Sequence, residues 1–267
     1  MPHTIIIYHK MTALWQHFDL FLIIMSALAA VVFVCLFFVD AGYGKFYTKK
    51  WGPAISNKTG WVLMESPVFI AMLVLCLCSE RRDELTRLVF LIIFETHYFH
   101  RAFIFPSRIS GESRMPFSII LMGMIFNTAN AFMQGGWIFY VSPEAMYGPE
   151  WLLSPQFIAG LVVIVAGMAI NIQSDNIIRN LRKPGDTRHY LPKGGMFRYV
   201  TSANYFGEFL EWVGFALLTW SWAGAVFALW TIANLCPRAA RIYEKYRRDF
   251  PDEFDATRLK RIIPFIY

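Results

Sequence analysis

Seven apolar runs of helix length limit what this sequence can fold into more than any other feature. They fall at about 18–39, 61–79, 85–105, 116–140, 152–172, 202–219 and 221–236. A helix needs about 20 apolar residues to cross the hydrocarbon core of a bilayer. The chain is 56% hydrophobic over 267 residues, which is too apolar for a soluble domain of that length. The pattern predicts an all-α polytopic membrane protein with seven transmembrane helices. Because no repeat or linker divides the chain, we expect a single domain over residues 1–267.

The distribution of Lys and Arg predicts how these spans are oriented. The loops 42–60, 106–115 and 173–196 and the tail from 237 carry 19 of the 25 basic residues. Basic residues concentrate in cytoplasmic loops, so we expect the N-terminus outside and the C-terminus in the cytoplasm. This topology explains the net charge of +6 without a nucleic-acid partner. A bacterial inner membrane and the endoplasmic reticulum both fit such a multi-pass protein.

Polar residues within the predicted spans are the strongest indication of a site. They are Glu65, Tyr98, Asn127, Asn130, Gln134, Asn171, Asn204, Glu208 and Glu211. Polar groups are costly in hydrocarbon and usually face a cavity or a partner. The stripe Asn127, Asn130 and Gln134 shares one helix face because of its spacing. We expect a polar cavity that opens to the cytoplasm beneath an apolar half. The alternative is that the amides only join helices by hydrogen bonds.

The longest polar interval, 171–212, lies between two apolar spans. It carries Arg179, Arg182, Lys183, Arg188 and Lys193, with a Pro-Gly pair at 184–185 and a Gly-Gly pair at 194–195. Several cations beside such turns suit the phosphates of a nucleotide. The alternative is a cytoplasmic loop that is basic only because of topology. No G-x-G-x-x-G motif occurs, so a Rossmann domain is not expected to bind the nucleotide.

A metal site is the obvious hypothesis for the stretch ETHYFHR at 95–101. His97 and His100 are three residues apart and would share one side of a helix. Membrane di-iron enzymes use more histidines than the six of this chain, of which His3, His9 and His17 precede the first span. We therefore predict no metal. The imidazoles can instead hydrogen-bond neighbouring helices, and a buried Tyr98 can act as an acid or an oxyanion donor.

Eight blocks of the sequence, in order, resemble those of the steroid 5α-reductase family. They are MESP at 64–67, HYFHR at 97–101, GMAINIQSD at 167–175, LRKPG at 181–185, PKGG at 192–195, ANYFGE at 203–208, EW at 211–212 and IPFIY at 263–267. The resemblance, to a bacterial-type member of the family, extends from the second span to the end of the sequence. It implies a seven-helix membrane reductase that uses NADPH to reduce the Δ4 double bond of 3-oxo-steroids.

The resemblance also implies roles for matching residues. In the family, the residues that match Glu65 and Tyr98 hydrogen-bond the substrate's C3 ketone, which makes these two the candidate catalytic residues. The residues expected to bind the cofactor are Asn171, Asp175, Arg179, Arg182, His189, Asn204, Tyr205, Arg238 and Tyr243. Two departures concern individual cofactor contacts. His189 stands where the family commonly has Tyr, and the His-rich patch that usually follows the residue matching Arg238 is missing.

The chemistry of the reaction agrees with these roles. Hydride addition to the far carbon of an enone places negative charge on the carbonyl oxygen, so a catalyst must stabilise that oxygen. Tyr98 and Glu65 can both do so. We expect Glu65 to bind the ketone as a neutral acid, because a poorly hydrated site favours the uncharged carboxyl.

Other functions are compatible with the sequence. A related reductase could act on another lipid enone or enal, such as a polyprenal or an enoyl thioester. A membrane methyltransferase would bind S-adenosylmethionine in a similar C-terminal pocket, although that cofactor has no phosphate for the Arg-rich loop. A lipid-binding or transport protein would need polar residues across the whole membrane. We expect a monomer whose partners are a steroid or other lipid enone and membrane lipid.

Overall fold

Seven long helices account for most of the residues that the structure describes. The computed structural model describes residues 15–39, 42, 44, 47–109, 111, 113–181, 186 and 188–267. In these residues the helices are α1 Phe18–Phe38, α2 Asn57–Leu77, α3 Leu85–Ser107, α4 Phe117–Val141, α5 Pro155–Asn180, α6 Ala203–Thr219 and α7 Trp222–Asp249. The helices α3 and α4 contain π-helical turns at His100–Ile104 and Trp137–Val141. Short 3-10 helices lie at Lys49–Trp51, Glu144–Tyr147, Pro149–Leu153 and Gly195–Arg198.

The helices agree with the predicted spans in number and order, and differ in length. Five of them, α1 to α5, are long and apolar enough to cross a membrane. At the sixth predicted span, α6 has only 17 residues. Both α5 and α7 continue past the predicted span ends at 172 and 236, to Asn180 and Asp249. Outside hydrocarbon a helix does not need apolar residues, so hydropathy detects the membrane segment and not the helix end.

A two-stranded sheet departs from the all-α prediction. The strands β1 Ala54–Ser56 and β2 Arg114–Pro116 pair antiparallel, with Ile55 opposite Met115. Each strand leads directly into a helix, β1 into α2 and β2 into α4. The sheet therefore holds the starts of α2 and α4 side by side. The two helices then run parallel, with Gly123 against Met64 and Gly135 against Leu75. Strands of three residues carry too little periodicity to be recognised in a sequence.

The helix α3 is fixed to α4 at one end by a buried arginine. Arg87, in the first turn of α3, is fully buried and donates to the carbonyl of Ile138 and, at 2.6 Å, to the hydroxyl of Ser142. Its charge is paired with Glu84 at 2.5 Å. These carbonyl and hydroxyl groups lie at the end of α4, so Arg87 sets how α3 lies against α4.

Four glycines bring α5 and α6 into backbone contact. A Cβ at Gly160 would lie 2.6 Å from the carbonyl oxygen of Gly214, and a Cβ at Gly167 would lie 2.7 Å from that of Gly207. The pairing runs in opposite directions along the two helices, so they are antiparallel. Small residues allow such close approach between membrane helices, where dispersion and not hydrophobic burial drives association. The close contact aligns the polar ends of α5 and α6.

We predict that Gly160→Leu destabilises the protein by about 2–3 kcal/mol, because the new side chain meets backbone atoms that cannot move aside. The matched control is Ala159→Leu, since Ala159 is the preceding residue and is exposed. That control should change stability by no more than about 0.5 kcal/mol. Thermal unfolding of both variants in the same detergent measures the difference. Equal unfolding midpoints for the two variants would show that the helices do not pack through this glycine.

Candidate active site

Two asparagines of α4 bind the two predicted catalytic side chains. Asn127 Nδ2 donates to a carboxyl oxygen of Glu65 at 3.0 Å and to the carbonyl of Met64 at 2.7 Å. Asn130 Nδ2 donates to the phenol oxygen of Tyr98 at 2.8 Å. Asn127 and Asn130 are three residues apart and share one face of α4. Glu65 from α2 and Tyr98 from α3 are therefore brought to the same face of a third helix.

Both side chains are buried. Glu65 is 9% exposed and Tyr98 is 3% exposed, so neither faces lipid. Aromatic rings hold the Tyr98 ring, with centroids of Phe94 at 4.7 Å and Trp212 at 5.5 Å. Because the phenol oxygen accepts its hydrogen bond from Asn130, the phenol hydrogen can be donated to another acceptor. The geometry presents a buried carboxyl and a buried phenol against the same face of α4.

The stripe on α4 continues with Gln134. Its Nε2 donates to the carbonyl of Ala223 at 3.0 Å and lies 3.4 Å from Oδ1 of Asn130. The first bond joins α4 to the start of α7, so this amide also has the helix-joining role that the sequence left open. Because Oδ1 of Asn130 accepts from Gln134, the Nδ2 end of the Asn130 amide is the end that faces Tyr98.

His97 pairs with a carboxylate. Its Nδ1 lies 2.7 Å from Oε2 of Glu211 in α6, and its ring is 4.6 Å from that of Trp212. Within the described part of the chain, no group of three or more His, Cys, Asp and Glu side chains could hold a metal ion. The pair links α3 to α6 one residue away from Tyr98.

A charged layer lies one helical turn from Tyr98. Arg101 of α3 lies 3.4 Å from a carboxylate oxygen of Glu208 and 3.9 Å from one of Asp175. Its guanidinium stacks on Trp61 at 4.5 Å. Arg101 and Glu208 also lie within electrostatic range of Glu65. This layer joins α2, α3, α5 and α6. Neither Arg101 nor His97 was among the predicted site residues, although a charged residue inside a span is itself a functional signal.

Three of the predicted cofactor residues form one cluster. Asn171 Nδ2 donates to the backbone carbonyl of Asn204 at 2.9 Å, and Asn204 Nδ2 donates to Asp175 Oδ1 at 3.2 Å. The cluster lies where α5 meets the first turn of α6. It is continuous with the charged layer through Asp175.

Buried polar atoms that make no hydrogen bond also lie in this region of the described structure. Among the described residues, Ser174 Oγ, Asp175 Oδ2 and Ser202 Oγ are buried and make no hydrogen bond. Buried polar groups are nearly always satisfied, so such a group is informative. Ser174 and Asp175 are on α5, and Ser202 directly precedes α6. These hydroxyl and carboxylate oxygens could bind hydroxyl or amide groups of a ligand.

The remaining predicted cofactor residues are more dispersed. Arg238 Nε donates to the phenol oxygen of Tyr205 at 2.7 Å, which joins α7 to α6. Arg179 is two turns after Asn171 on α5 and donates to Asn176 Oδ1 at 2.7 Å. The ring of Tyr243 lies 5.0 Å from the guanidinium of Arg261, and Arg182 lies outside the described residues.

The segment before α6 contains His189, which is exposed. Its neighbours are organised by Asp186, which accepts hydrogen bonds from Arg188 and Tyr190. These hydrogen bonds hold the pKa of the Asp186 carboxyl below its usual range, and the bond from the Arg188 side chain has the largest effect. Asp186 thus stays ionised and neutralises part of the positive charge of this segment.

Comparison with known proteins gives one consistent result. A family profile described as 3-oxo-5-alpha-steroid 4-dehydrogenase matches residues 113–267. The 3-oxo-5-alpha-steroid 4-dehydrogenase 1 of Mus musculus is 39% identical over 241 residues, covering 90% of this chain and 92% of its own. The Homo sapiens protein of that name is 40% identical over 228 residues, covering 84% of this chain and 86% of the human protein. Steroid 5-alpha-reductase DET2 of Gossypium hirsutum is 36% identical over 250 residues, covering 92% of this chain and 96% of the Gossypium protein.

Proposed function

This chain belongs to the 3-oxo-5-alpha-steroid 4-dehydrogenase family, and from that membership we propose that it reduces the Δ4 double bond of 3-oxo-Δ4-steroids with NADPH. The product would be the 5α-3-oxo-steroid. The observation that carries the proposal is the pair of α4 asparagines that hold Glu65 and Tyr98 on one face. Family membership also favours a reductase over the methyltransferase and transport alternatives.

The membrane arrangement is part of the same proposal. We propose that all seven helices cross the membrane as one domain, with the N-terminus outside and the C-terminus in the cytoplasm. The antiparallel backbone contact of α5 with α6 supports this, because a helix packed along a spanning helix shares its membrane depth. The bond between Gln134 and Ala223 similarly ties α7 to α4. A monomer contains every residue that the proposed mechanism uses.

The residues present fit a nicotinamide dinucleotide phosphate. Its amide and ribose hydroxyls need buried acceptors. Among the described residues, the hydroxyls of Ser174 and Ser202 are buried without a hydrogen bond, and Asp175 Oδ2 is buried with only its 3.9 Å approach to Arg101. Its phosphates need cations, and we propose Arg179 for this role together with Arg182, which lies outside the described residues. Asn171, Asn204, Tyr205, Arg238, Tyr243 and His189 would complete the binding surface. When bound, NADPH supplies the hydride that C5 of the steroid accepts.

Glu65 and Tyr98 would stabilise the substrate oxygen during the reduction. Negative charge develops on the C3 oxygen as the conjugated double bond is reduced. Tyr98 can donate its phenol hydrogen there, because its oxygen already accepts from Asn130. Glu65, as a neutral acid, can donate from the carboxyl oxygen that does not accept from Asn127. A proton added to the carbon next to the ketone completes the saturated product.

Replacing either donor should slow the reaction while leaving the fold intact. We expect Tyr98→Phe and Glu65→Gln each to lower kcat/KM by about 100-fold or more, as loss of one oxyanion donor does. Purified protein with NADPH and progesterone is assayed by loss of the nicotinamide absorbance and by a product mass gain of two hydrogens. The control is Tyr140→Phe, which removes a phenol that donates to the carbonyl of Leu75, outside the site. Near-normal turnover of both site variants would remove the assignment.

Removing a cation from the proposed phosphate site should weaken NADPH binding selectively. We expect Arg179→Ala to raise the KM for NADPH by about 10-fold or more, since a hydrogen bond to a charged group contributes about 1.5–3 kcal/mol. The kcat at saturating NADPH should change little. Arg248→Ala is the control, because that arginine is mostly exposed on α7 and pairs only weakly with Asp249. An equal rise in both variants would indicate a general effect of charge, and a wild-type preference for NADH would contradict the site.

A further inference from the structure

The last residues of the sequence form a closed turn that presents two large apolar side chains to the outside. The amides of Ile262 and Ile263 donate to the carbonyl of Tyr267 at 2.7 and 2.8 Å, and the amide of Tyr267 donates to the carbonyl of Ile263 at 3.0 Å. At the tip, Phe265 is 77% exposed and Ile266 is 78% exposed. The backbone hydrogen bonds of the turn therefore keep these two side chains exposed.

The backbone of this turn, residues 263–267, includes one unfavourable conformation, whose energy cost other contacts must offset. Phe265 has φ of 66°, a left-handed conformation that is unfavourable for a residue with a bulky side chain. Beneath the tip, Ile262 is completely buried. A turn with a buried base and a strained, apolar, exposed tip indicates that the tip contacts an apolar phase.

The base of the turn is attached where α6 begins. Thr201, two residues before α6, donates from its amide to the carbonyl of Lys260 at 2.9 Å, and Val200 bridges Lys260. Val200 belongs to a small apolar cluster whose partly buried members include Ile177 and Ile178 of α5. The 263–267 turn therefore lies level with the last turns of α5.

That level corresponds to the membrane surface. The 26 residues of α5 extend about 39 Å at 1.5 Å per residue, which is longer than the roughly 30 Å hydrocarbon core. The last turns of α5 therefore reach the headgroup region, and the 263–267 turn lies beside them. Aromatic and apolar side chains are favourable at this depth.

Basic residues lie beside the turn. Among the last ten residues of the sequence, Arg258, Lys260 and Arg261 are basic and none is acidic. Arg258 is exposed and stacks over Tyr199, whose ring contacts Phe265 at 5.3 Å. Arg198 is also exposed next to Tyr199. Juxtamembrane cations bind anionic lipid headgroups, so charge and apolar surface indicate the same partner.

We propose that the 263–267 turn inserts Phe265 and Ile266 into the headgroup region of an anionic membrane, where Arg198 and Arg258 bind lipid phosphates. This turn would anchor the tail that follows α7 to the membrane surface. Arg261 connects the turn to α7, since its guanidinium stacks on Tyr267 of the turn at 4.9 Å and on Tyr243 of α7 at 5.0 Å. The proposal needs neither the steroid nor NADPH.

An environment-sensitive fluorophore attached to an Ile266→Cys variant tests the insertion. The exposed Cys35 and Cys78 are first replaced by Ala, and each nanodisc holds one copy of the protein. In phosphatidylcholine with phosphatidylglycerol, we expect blue-shifted emission that nitroxide-labelled lipid quenches and aqueous iodide does not. The same label at position 252, where Asp252 is exposed, should show the opposite pattern. Iodide quenching at 266 equal to that at 252 overturns the proposal, as does shielding from both quenchers.

The charge requirement is tested with Arg198→Glu combined with Arg258→Glu. We expect most of the lipid quenching at position 266 to be lost, because the anionic headgroups now repel the turn. Hydrogen exchange of the Tyr267 amide provides a measurement without a label. It should be slower in anionic than in neutral nanodiscs, and Phe265→Ser with Ile266→Ser should abolish the difference. Equal exchange in both lipids for the unaltered chain contradicts the anchor, whatever the enzymatic activity.

Discussion

The hydrogen bonds from Asn127 to Glu65 and from Asn130 to Tyr98 meet the main constraint on this molecule, which is that polar groups inside an apolar bundle must be paired. They also decide the packing of three helices. The parallel alignment of α2 with α4 starts at the short sheet, and the antiparallel alignment of α3 with α4 is fixed at its other end by Arg87. With these alignments, two amides on one helix face meet a carboxyl and a phenol from two other helices.

The second half of the site depends on a different interaction. Backbone contact at Gly167 and Gly207 places the first turn of α6 beside Asn171 and Asp175 of α5. Arg101 then links the two halves, because it extends from the Tyr98 helix to the carboxylates of α5 and α6. The proposed ketone site and the proposed nucleotide site therefore share a charged layer. A change in that layer would affect both, which distinguishes it from the apolar contacts elsewhere in the bundle.

Much of the candidate site could be predicted because its residues are polar and stand within apolar segments. Glu65, Asn127 and Asn130 are polar in apolar runs, and their cost in hydrocarbon implies a partner. The same rule would have found Arg101. The pairing of His97 with Glu211 could not have been predicted, because those residues are 114 positions apart and nothing in either segment specifies the other. Nor could the sequence predict that oxygens of Ser174, Asp175 and Ser202 are buried without a hydrogen bond among the described residues, since an absent bond is visible only in three dimensions.

The sequence by itself determined that the chain is helical and apolar, where its main helices lie, and which of their faces are polar, because periodicity and hydropathy are local properties. Family membership followed from blocks such as HYFHR and ANYFGE. The tertiary structure alone decided which polar face meets which, how far α5 and α7 continue, and that β1 and β2 pair. It also decided that the 263–267 turn points outward with Phe265 at its tip. These features depend on contacts between distant segments, and the free energy of such contacts is not encoded in any one segment.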